Sequence, residues 1–364
     1  MNGETDDIPP PRGNPHFQGH DGAEKTLMEA FGSSRLPHAW LIAGPRGVGK
    51  ATLAFRFARH VLARGGAEET GGLFGDARAP VQNLHLDADD PLFRRVASAG
   101  HADLLTVERR IGDNGKRRTE IVVDDVRAIG TFLRLTPAEG GWRVVVVDSA
   151  DDMNRHAANA LLKVLEEPSP KALLLVVSHN PGRLLATIRS RCRRLTLKPL
   201  GDGKLAELLN RYRPDLEEED ARDLARLGEG SIGRALALAN EGGLDLYRDL
   251  MGVIESLPVI DVAALHALGD RLARPGAEDA FLTATQILQW WLGHLILVGA
   301  QADPAIDGGE KEHMKGLLAG RGLDPWLEVW DKFTHLLARA DGANLSPKQV
   351  VLNVFFAIEN AART

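Results

Sequence analysis

Apolar runs and amphipathic stretches alternate between residues 39 and 200. Leu41-Ile42-Ala43 is a short apolar run, and a glycine-rich loop connects it to the amphipathic stretch Lys50 to Leu62. Val144 to Val147 and Leu173 to Val177 are unbroken apolar runs, as expected for strands that are buried on both faces. The alternation predicts an α/β fold, with a parallel sheet flanked by helices.

A helical pattern covers residues 154 to 167. Ala158, Leu161, Leu162 and Leu165 recur at helical spacing. Pro168 disfavours helical geometry in the residue before it, so the helix is predicted to end there.

The sequence between Leu104 and Val123 predicts a β-hairpin. Two extended stretches, Leu104 to Ile111 and Glu120 to Val123, flank the turn-rich sequence Gly112-Asp113-Asn114-Gly115. Its basic residues are Arg109, Arg110, Lys116, Arg117 and Arg118. They leave two interpretations open, a contact with DNA or a partner, and a solvated hairpin tip. The second is favoured because a run of charges carries little specificity.

The chain is predicted to have four segments. Residues 1–15 are rich in Asp, Glu, Gly and Pro, which predicts a disordered lead-in that is neither a signal peptide nor an anchor. The α/β pattern fills residues 16–200. Helical patterns follow in residues 201–243 and 244–364, separated by a glycine-rich break. Within the last segment, Ile287 to Val298 is too short for a bilayer, which needs about 20 apolar residues, and predicts a buried helix instead.

The composition is that of a globular protein. Its 364 residues exceed what one core usually organises, and 44% apolar with 26% charged residues argues against general disorder. A net charge of −6 argues against a chain that coats nucleic acid by bulk electrostatics, and leaves room only for a local basic patch. The single cysteine, Cys192, favours a reducing compartment, so we expect a cytoplasmic protein without a membrane partner.

The loop after the first strand predicts a phosphate cradle. Its glycines let the backbone wrap phosphate oxygens, and the amide N–H groups at the start of the following helix donate to them. Lys50 would reach the outer phosphates. The cradle residues are Gly44, Pro45, Arg46, Gly47, Val48, Gly49 and Lys50. They suit ATP or ADP, and leave open whether either nucleotide is held.

Two positions depart from what ATP hydrolysis needs. Ala51 stands where a hydroxyl usually holds Mg²⁺, and Thr52 lies about 100° further round the helix, which makes Mg²⁺ binding doubtful. Asp148 supplies the carboxylate that follows the apolar strand, but the next residue is Ser149, whose hydroxyl is a poor base. The sequence therefore predicts absent or very slow hydrolysis.

Two further carboxylates, Asp151 and Asp152, lie close to this strand end. Either could in principle replace the missing acid. We expect them instead to cap or begin the helix that carries residues 154 to 167.

Two segments resemble a known family. The run from Ala158 to Pro168, ANALLKVLEEP, and Ile188-Arg189-Ser190-Arg191-Cys192 look like the clamp-loader subunits of bacterial DNA polymerase III, which are AAA+ proteins. The likeness covers Leu36 to about Arg234 well. A defective site beside a retained arginine is similar to the delta prime class within that family.

The resemblance implies roles for three more residues. Arg191 would be an arginine finger that acts in trans on a neighbour's ATP, Asn180 would occupy a sensor position, and Arg234 would be a second sensor. An alternative for Arg191 is a surface arginine beside Arg189, Arg193 and Arg194.

The resemblance also implies an architecture and partners. Residues 201–243 would be a lid domain and residues 244–364 a collar. The partners would be motor and delta subunits in a hetero-pentamer, with the sliding clamp and primed DNA met through that complex. The segment Gly71 to Asp103 lacks the four cysteines of a zinc module that many relatives carry, so no zinc is expected.

Two rival functions stay open. One is an active AAA+ ATPase, either a motor subunit or a related remodelling enzyme, which Lys50 and Asp148 favour and Ala51 and Ser149 oppose. The other is a DNA-binding module built on the basic hairpin, which lacks a recognition motif.

Overall fold

The computed structural model describes most of the chain. The described residues are 9–33, 36–65, 83–112, 115, 117–139, 141–302, 306, 308–320, 322–343 and 346–363. They group into two compact units. The first holds residues up to 204 together with 230–233, and the second holds 205–229 and 234–364. The predicted division of the helical part into lid and collar remains a prediction.

Five parallel strands form the sheet of the first unit. They are β1 Ala39–Ala43, β2 Leu104–Val107, β3 Arg143–Val147, β4 Ala172–Ser178 and β5 Arg193–Thr196, in the order β2-β3-β4-β1-β5. The three apolar runs singled out in the sequence lie within β1, β3 and β4, so the prediction of an α/β fold with a parallel sheet is confirmed.

Helices cover both faces of this sheet. They are α1 Asp21–Gly32, α2 Lys50–Arg64, α3 Pro91–Ala97, α4 Val123–Arg134, α5 Arg155–Glu166 and α6 Ala186–Arg191. Successive strand residues point to opposite faces, as a pleated strand requires. Trp40 and Ile42 of β1 pack in the core that includes α1 and α2, while Leu41 packs in the core that includes α4 and α5.

The predicted end of α5 is confirmed. The helix begins after Asn154, whose side-chain oxygen accepts from the amide of Ala157, and it ends at Glu166. A capping side chain at the start and a proline after the end account for both boundaries.

The predicted hairpin is correct only at its base. Ile111 and Arg117 form one antiparallel bridge, and residues 113, 114 and 116 lie outside the described residues. The second arm is not a strand of that hairpin, because Ile121 instead forms a parallel bridge with Met153, and α4 begins at Val123. Ile121 is fully buried, so its burial overrides the local pairing.

The predicted lead-in lies partly outside the described residues, which begin at residue 9. Residues 9–15 pack against α2. The buried guanidinium of Arg59 donates to the carbonyl oxygens of Arg12, at 2.7 Å, and of Asn14, at 3.0 Å. A buried arginine needs such acceptors, and these backbone carbonyls supply them.

The second unit is helical in its described part. Its helices are α8 Glu218–Leu227, α10 Gly243–Glu255, α11 Val262–Leu272, α12 Glu278–Gly299, α13 Gly308–Leu318, α14 Asp324–Ala343 and α15 Pro347–Arg363. Two more helices, α7 Asp202–Tyr212 and α9 Ile232–Asn240, begin in residues of the first unit and continue in the second.

Helix α12 contains the apolar stretch predicted as a buried helix. Ile287, Trp291 and Leu295 are buried in it, which confirms the prediction. On length and composition α12 is the one described helix that could cross a membrane, but 56% of its most apolar window is buried inside the protein. Core helices of soluble proteins meet the same criterion, so this observation is weak evidence for a membrane span.

Candidate nucleotide-binding site

The candidate site lies where three neighbouring strands end. The loop of residues 44–49 follows β1, Asp148 follows β3, and Asn180 lies just beyond β4. Because the three strands are parallel and adjacent, these segments share one edge of the sheet. The carboxyl edge of an open α/β sheet is the usual place for a ligand.

Two glycines of the loop disfavour replacement by any other residue. Gly44 and Gly47 have φ values of 148° and 76°. A Cβ atom at Gly44 would lie 2.4 Å from the carbonyl oxygen of Leu197, and one at Gly47 would lie 2.2 Å from Oγ of Ser231. The carbonyl oxygen of Gly47 also accepts from the amide of Gly233 at 3.0 Å. The loop is therefore held in its curved shape by neighbouring backbone.

Lys50 is a buried cation at the start of α2. Its Nζ donates to the carbonyl oxygen of Pro45 at 2.5 Å. Burial lowers the pKa of Lys50 to about 8, which Asp151 and Asp148 oppose, while Arg46 lowers it further. At neutral pH the amine is thus mainly protonated, and it can serve as the cation of a phosphate site.

The other residues of the cradle occupy the same loop and helix. Val48 is buried, and its carbonyl oxygen lies 2.9 Å from Nε2 of His20. Gly49 has a left-handed backbone and caps α2. Ala51 and Thr52 are half-buried in the first turn of α2. The residues therefore suit phosphate oxygens, but Ala51 offers no ligand to Mg²⁺.

Asp148 follows β3 in a largely buried position. Burial raises its pKa above the ordinary value, and the nearby carboxylate of Glu108 adds to this effect. Hydrogen bonds from Ser149 and the charge of Lys50 act in the opposite direction. Ser149 itself has a left-handed backbone, with φ 56° and ψ 54°.

Asp151 does not cap α5, contrary to the sequence prediction. Asn154 caps α5, whereas the fully buried carboxylate of Asp151 accepts from three donors at the end of β4. These are Oγ of Ser178 at 2.7 Å, the amide of His179 at 2.7 Å and the amide of Asn180 at 3.0 Å. Nδ1 of His179 also lies 2.8 Å from Oδ2 of Asp151.

These contacts give Asp151 a structural role that sequence reasoning missed. Each of its oxygens already meets two donors, so the carboxylate is not placed to activate a water in place of the missing acid. The contacts also fix the backbone that carries Asn180, whose side chain is exposed. The polar Ser178 at the end of an apolar strand was the only signal in the sequence.

Arg191 is the last residue of α6 and is partly exposed. Its Nη1 donates to the carbonyl oxygen of Thr187 at 3.1 Å, and its Nη2 lies 2.9 Å from Oε1 of Glu166. Two neighbouring arginines have different surroundings. Arg193 stacks on the ring of Trp40, and Arg194 donates to Oγ1 of Thr196.

The remaining predicted residues lie elsewhere. Arg234 belongs to the second unit, where it pairs with the carboxylate of Glu229. In the basic hairpin, Arg109 pairs with Asp152 at 3.1 Å and Arg110 pairs with Asp125 at 2.7 Å. Among the described residues no group of three or more His, Cys, Asp or Glu side chains could hold a metal ion.

Comparison with known proteins identifies the family. The family model described as DNA polymerase III, delta subunit, matches residues 19–201, which is half of the chain. The chain belongs to this family. Within it, the chain is similar to the delta prime subunit of DNA polymerase III from Pseudomonas aeruginosa, with 35% identity over 64% of the chain and 65% of that subunit.

Two other polymerase III subunits have lower identity to the chain. The delta prime subunit from Bacillus subtilis is 29% identical over 56% of the chain and 53% of its own length. The tau subunit from Escherichia coli is 30% identical over 61% of the chain and 32% of its own length. The matches thus span less than two thirds of these relatives. The matched family residues include every predicted site residue except Arg234.

Solved structures give only weak likenesses. A gamma subunit-related protein of DNA polymerase III from Thermotoga maritima has a TM-score of 0.37 and 16% identity, covering 94% of this chain and 100% of that one. The RuvB Holliday junction branch migration motor of Thermotoga maritima has a TM-score of 0.41 and 17% identity, covering 85% and 87%.

Proposed function

We propose that the chain is the delta prime subunit of a cytoplasmic DNA polymerase III clamp loader and does not hydrolyse ATP itself. In this proposal it assembles with motor and delta subunits into a hetero-pentamer. The complex, rather than this chain alone, meets the sliding clamp and primed DNA. The family membership supports the assignment to the polymerase. The defects of the nucleotide site support the proposal that the motor subunits hydrolyse ATP and this chain does not.

The observation that carries the proposal is the state of the catalytic carboxylates. Asp148 is followed by Ser149, and the next carboxylate, Asp151, is occupied by donors at the end of β4. A hydrolytic site needs a residue that is free to orient the attacking water, and a carboxylate is the usual one beside such a strand. With Ala51 also lacking a hydroxyl for Mg²⁺, two parts of the catalytic apparatus are missing.

Nucleotide binding is a separate property. The loop of residues 44–49 and Lys50 would hold the phosphates of ATP or ADP, because neither element depends on Ala51 or Ser149. Bound nucleotide would supply negative charge that replaces the carbonyl oxygen of Pro45 as the partner of Lys50. Asn180 and Arg234 would act as sensors of that nucleotide, as the family resemblance implies. A binding role of this kind could stabilise the subunit without turnover.

Arg191 is the residue through which the chain would act on a neighbour. Its guanidinium is permanently charged and partly exposed at the end of α6. An arginine supplied in trans can stabilise the charge that develops on a transferring phosphoryl group. The chain would thereby raise the ATPase rate of the adjacent motor subunit.

The test is the clamp- and DNA-stimulated ATPase of the reconstituted loader. We expect Arg191→Ala to lower turnover at the adjacent site by about 10³-fold or more, so total loader activity falls by that site's share. Arg189→Ala is the matched control, because Arg189 is an exposed arginine on the same helix. Equal turnover in wild type and Arg191→Ala loaders would contradict the arginine-finger role.

The active ATPase is the second candidate, favoured by the buried cation Lys50 and by Asp148. It predicts turnover by the isolated chain with Mg²⁺ and ATP. We expect none above the rate of the Lys50→Ala variant. Turnover that this variant abolishes would establish the chain as a motor.

A further inference from the structure

Glu166, the last residue of α5, contacts Arg191 from a neighbouring helix. Oε1 of Glu166 lies 2.9 Å from Nη2 of Arg191, while the carbonyl oxygen of Thr187 accepts from Nη1 at 3.1 Å. Two acceptors from different helices thus hold two different nitrogens of one planar guanidinium. Such a pair of contacts limits the rotamers of a side chain that otherwise samples many.

The backbone that carries Glu166 is well anchored. The preceding residue, Leu165, is buried in the same core as Ile188 of α6. Its carbonyl oxygen, one of those that a helix end leaves without an internal partner, lies 3.2 Å from Nε2 of His38. Glu166 therefore presents its carboxylate from a fixed position relative to α6.

The ion pair contributes little to the free energy of unfolding. The side chains of Arg191 and Glu166 are 36% and 49% exposed, and exposed pairs contribute little to stability because solvent screens them. The guanidinium has five N–H donors, and the two contacts leave others available for phosphate oxygens. The arrangement suits orientation of the arginine more than stabilisation of the fold.

We infer that Glu166 is a positioning residue, which orients Arg191 toward the nucleotide of the adjacent subunit. The inference rests on the proposed arginine finger. In this inference Glu166 acts only through its contact with Arg191. Its loss should therefore lower the kcat of the adjacent site and leave the KM for ATP unchanged, because the arginine is needed in the transition state.

The experiment compares three variants in the reconstituted loader. Glu166→Ala removes the acceptor and should lower kcat about three- to tenfold, whereas Glu166→Gln keeps an oxygen acceptor and should stay within about twofold of wild type. Glu167→Ala is the matched control, since Glu167 is also exposed and forms no ion pair within the described part of the chain. Its kcat should equal that of wild type.

A double-mutant cycle separates the outcomes. In the Arg191→Ala background, Glu166→Ala should have no further effect. A loss of kcat of the same size in both backgrounds would overturn the positioning role. So would a kcat that Glu166→Ala leaves unchanged or raises, in a loader whose turnover Arg191→Ala lowers. If Arg191→Ala leaves turnover unchanged, the proposed function itself fails. Thermal melts of the isolated variants check that each one folds.

Discussion

At the scale of single residues, the most consequential group is the buried ammonium of Lys50. Burial lowers its pKa from an ordinary value of 10.5 to about 8, so the folded chain carries an unfavourable charge at neutral pH. A group that destabilises the fold while its charge suits a ligand is typical of a binding site.

Lys50→Met should stabilise the protein in the absence of nucleotide. Below pH 8 the lysine is protonated in the folded and unfolded chain, so the variant should gain about 1–3 kcal/mol in the free energy of unfolding at pH 7. Between pH 8 and 10.5 the unfolded lysine binds a proton that the folded lysine lacks. Wild-type stability therefore rises with pH through this window, and the difference between the two proteins should shrink.

Urea denaturation at pH 7 and pH 10 measures this difference. Lys25→Met is the matched control, because the side chain of Lys25 is 76% exposed and should change stability little. An advantage of Lys50→Met that grew with pH would contradict the argument.

A hydroxyl at position 51 should make nucleotide binding depend on Mg²⁺. In the wild type we expect Mg²⁺ to change the Kd for ADP by less than about threefold, whereas in Ala51→Thr it should tighten binding by about fivefold or more. Isothermal titration calorimetry with and without Mg²⁺ is the measurement. Thr52→Ala serves as the control and should behave as wild type. Strong Mg²⁺ dependence in the wild type would refute the role given to Ala51.

The roles expected of these residues could be predicted from the local sequence. Contacts between residues that are far apart in the sequence could not. Lys50, Ala51 and Ser149 follow from their places in a short motif. The partners of Asp151 lie 27 to 29 residues away at the end of β4, and the register of the sheet brings them together. The contact of Glu166 with Arg191 likewise depends on how α5 and α6 pack.

At the scale of elements, Asp151 ties the end of β3 to the end of β4. Its fully buried carboxylate satisfies the buried hydroxyl of Ser178 and two backbone amides. Removing an acceptor from buried donors costs more than the hydrogen bonds contributed, because the donors lose all partners.

Asp151→Ala should therefore lower the free energy of unfolding by about 2–4 kcal/mol. Asp152→Ala is the matched control, since Asp152 is partly exposed and loses one contact, with Arg109. Its cost should stay below about 1 kcal/mol. Denaturation in urea gives both values, and equal costs would argue against the tie between the strands.

Elements were predictable where burial and local pattern agree. Strands β1, β3 and β4 are continuous apolar runs, and α5 has a cap and a terminating proline. The prediction of a second hairpin arm was wrong, because Ile121 is buried and bridges to Met153 rather than pairing across a local turn. Residues 9–15 are rich in proline, yet Arg59 gives them a buried anchor that composition does not reveal.

At the scale of the whole molecule, charge limits what the chain can do alone. The net charge is −6, and in the basic hairpin Arg109 and Arg110 are paired with Asp152 and Asp125. Paired arginines release few counterions from DNA, which is the main source of nonspecific affinity.

The isolated chain should accordingly bind primed DNA weakly. We expect a Kd no tighter than about 10 μM at about 0.15 M salt, measured by fluorescence anisotropy. Tighter binding with steep salt dependence, lost in Arg110→Ala but kept in the control Arg222→Ala, would favour the DNA-binding alternative. Arg222 is an exposed, paired arginine of the second unit.

The left-handed backbone of Ser149 bears on any attempt to place a catalytic glutamate after Asp148. With φ 56° and ψ 54°, the residue occupies a region that glycine and asparagine tolerate and that costs glutamate on the order of 1 kcal/mol. A glutamate at position 149 would either carry this cost or shift the main chain from 148 to 151, which the contacts of Asp151 oppose.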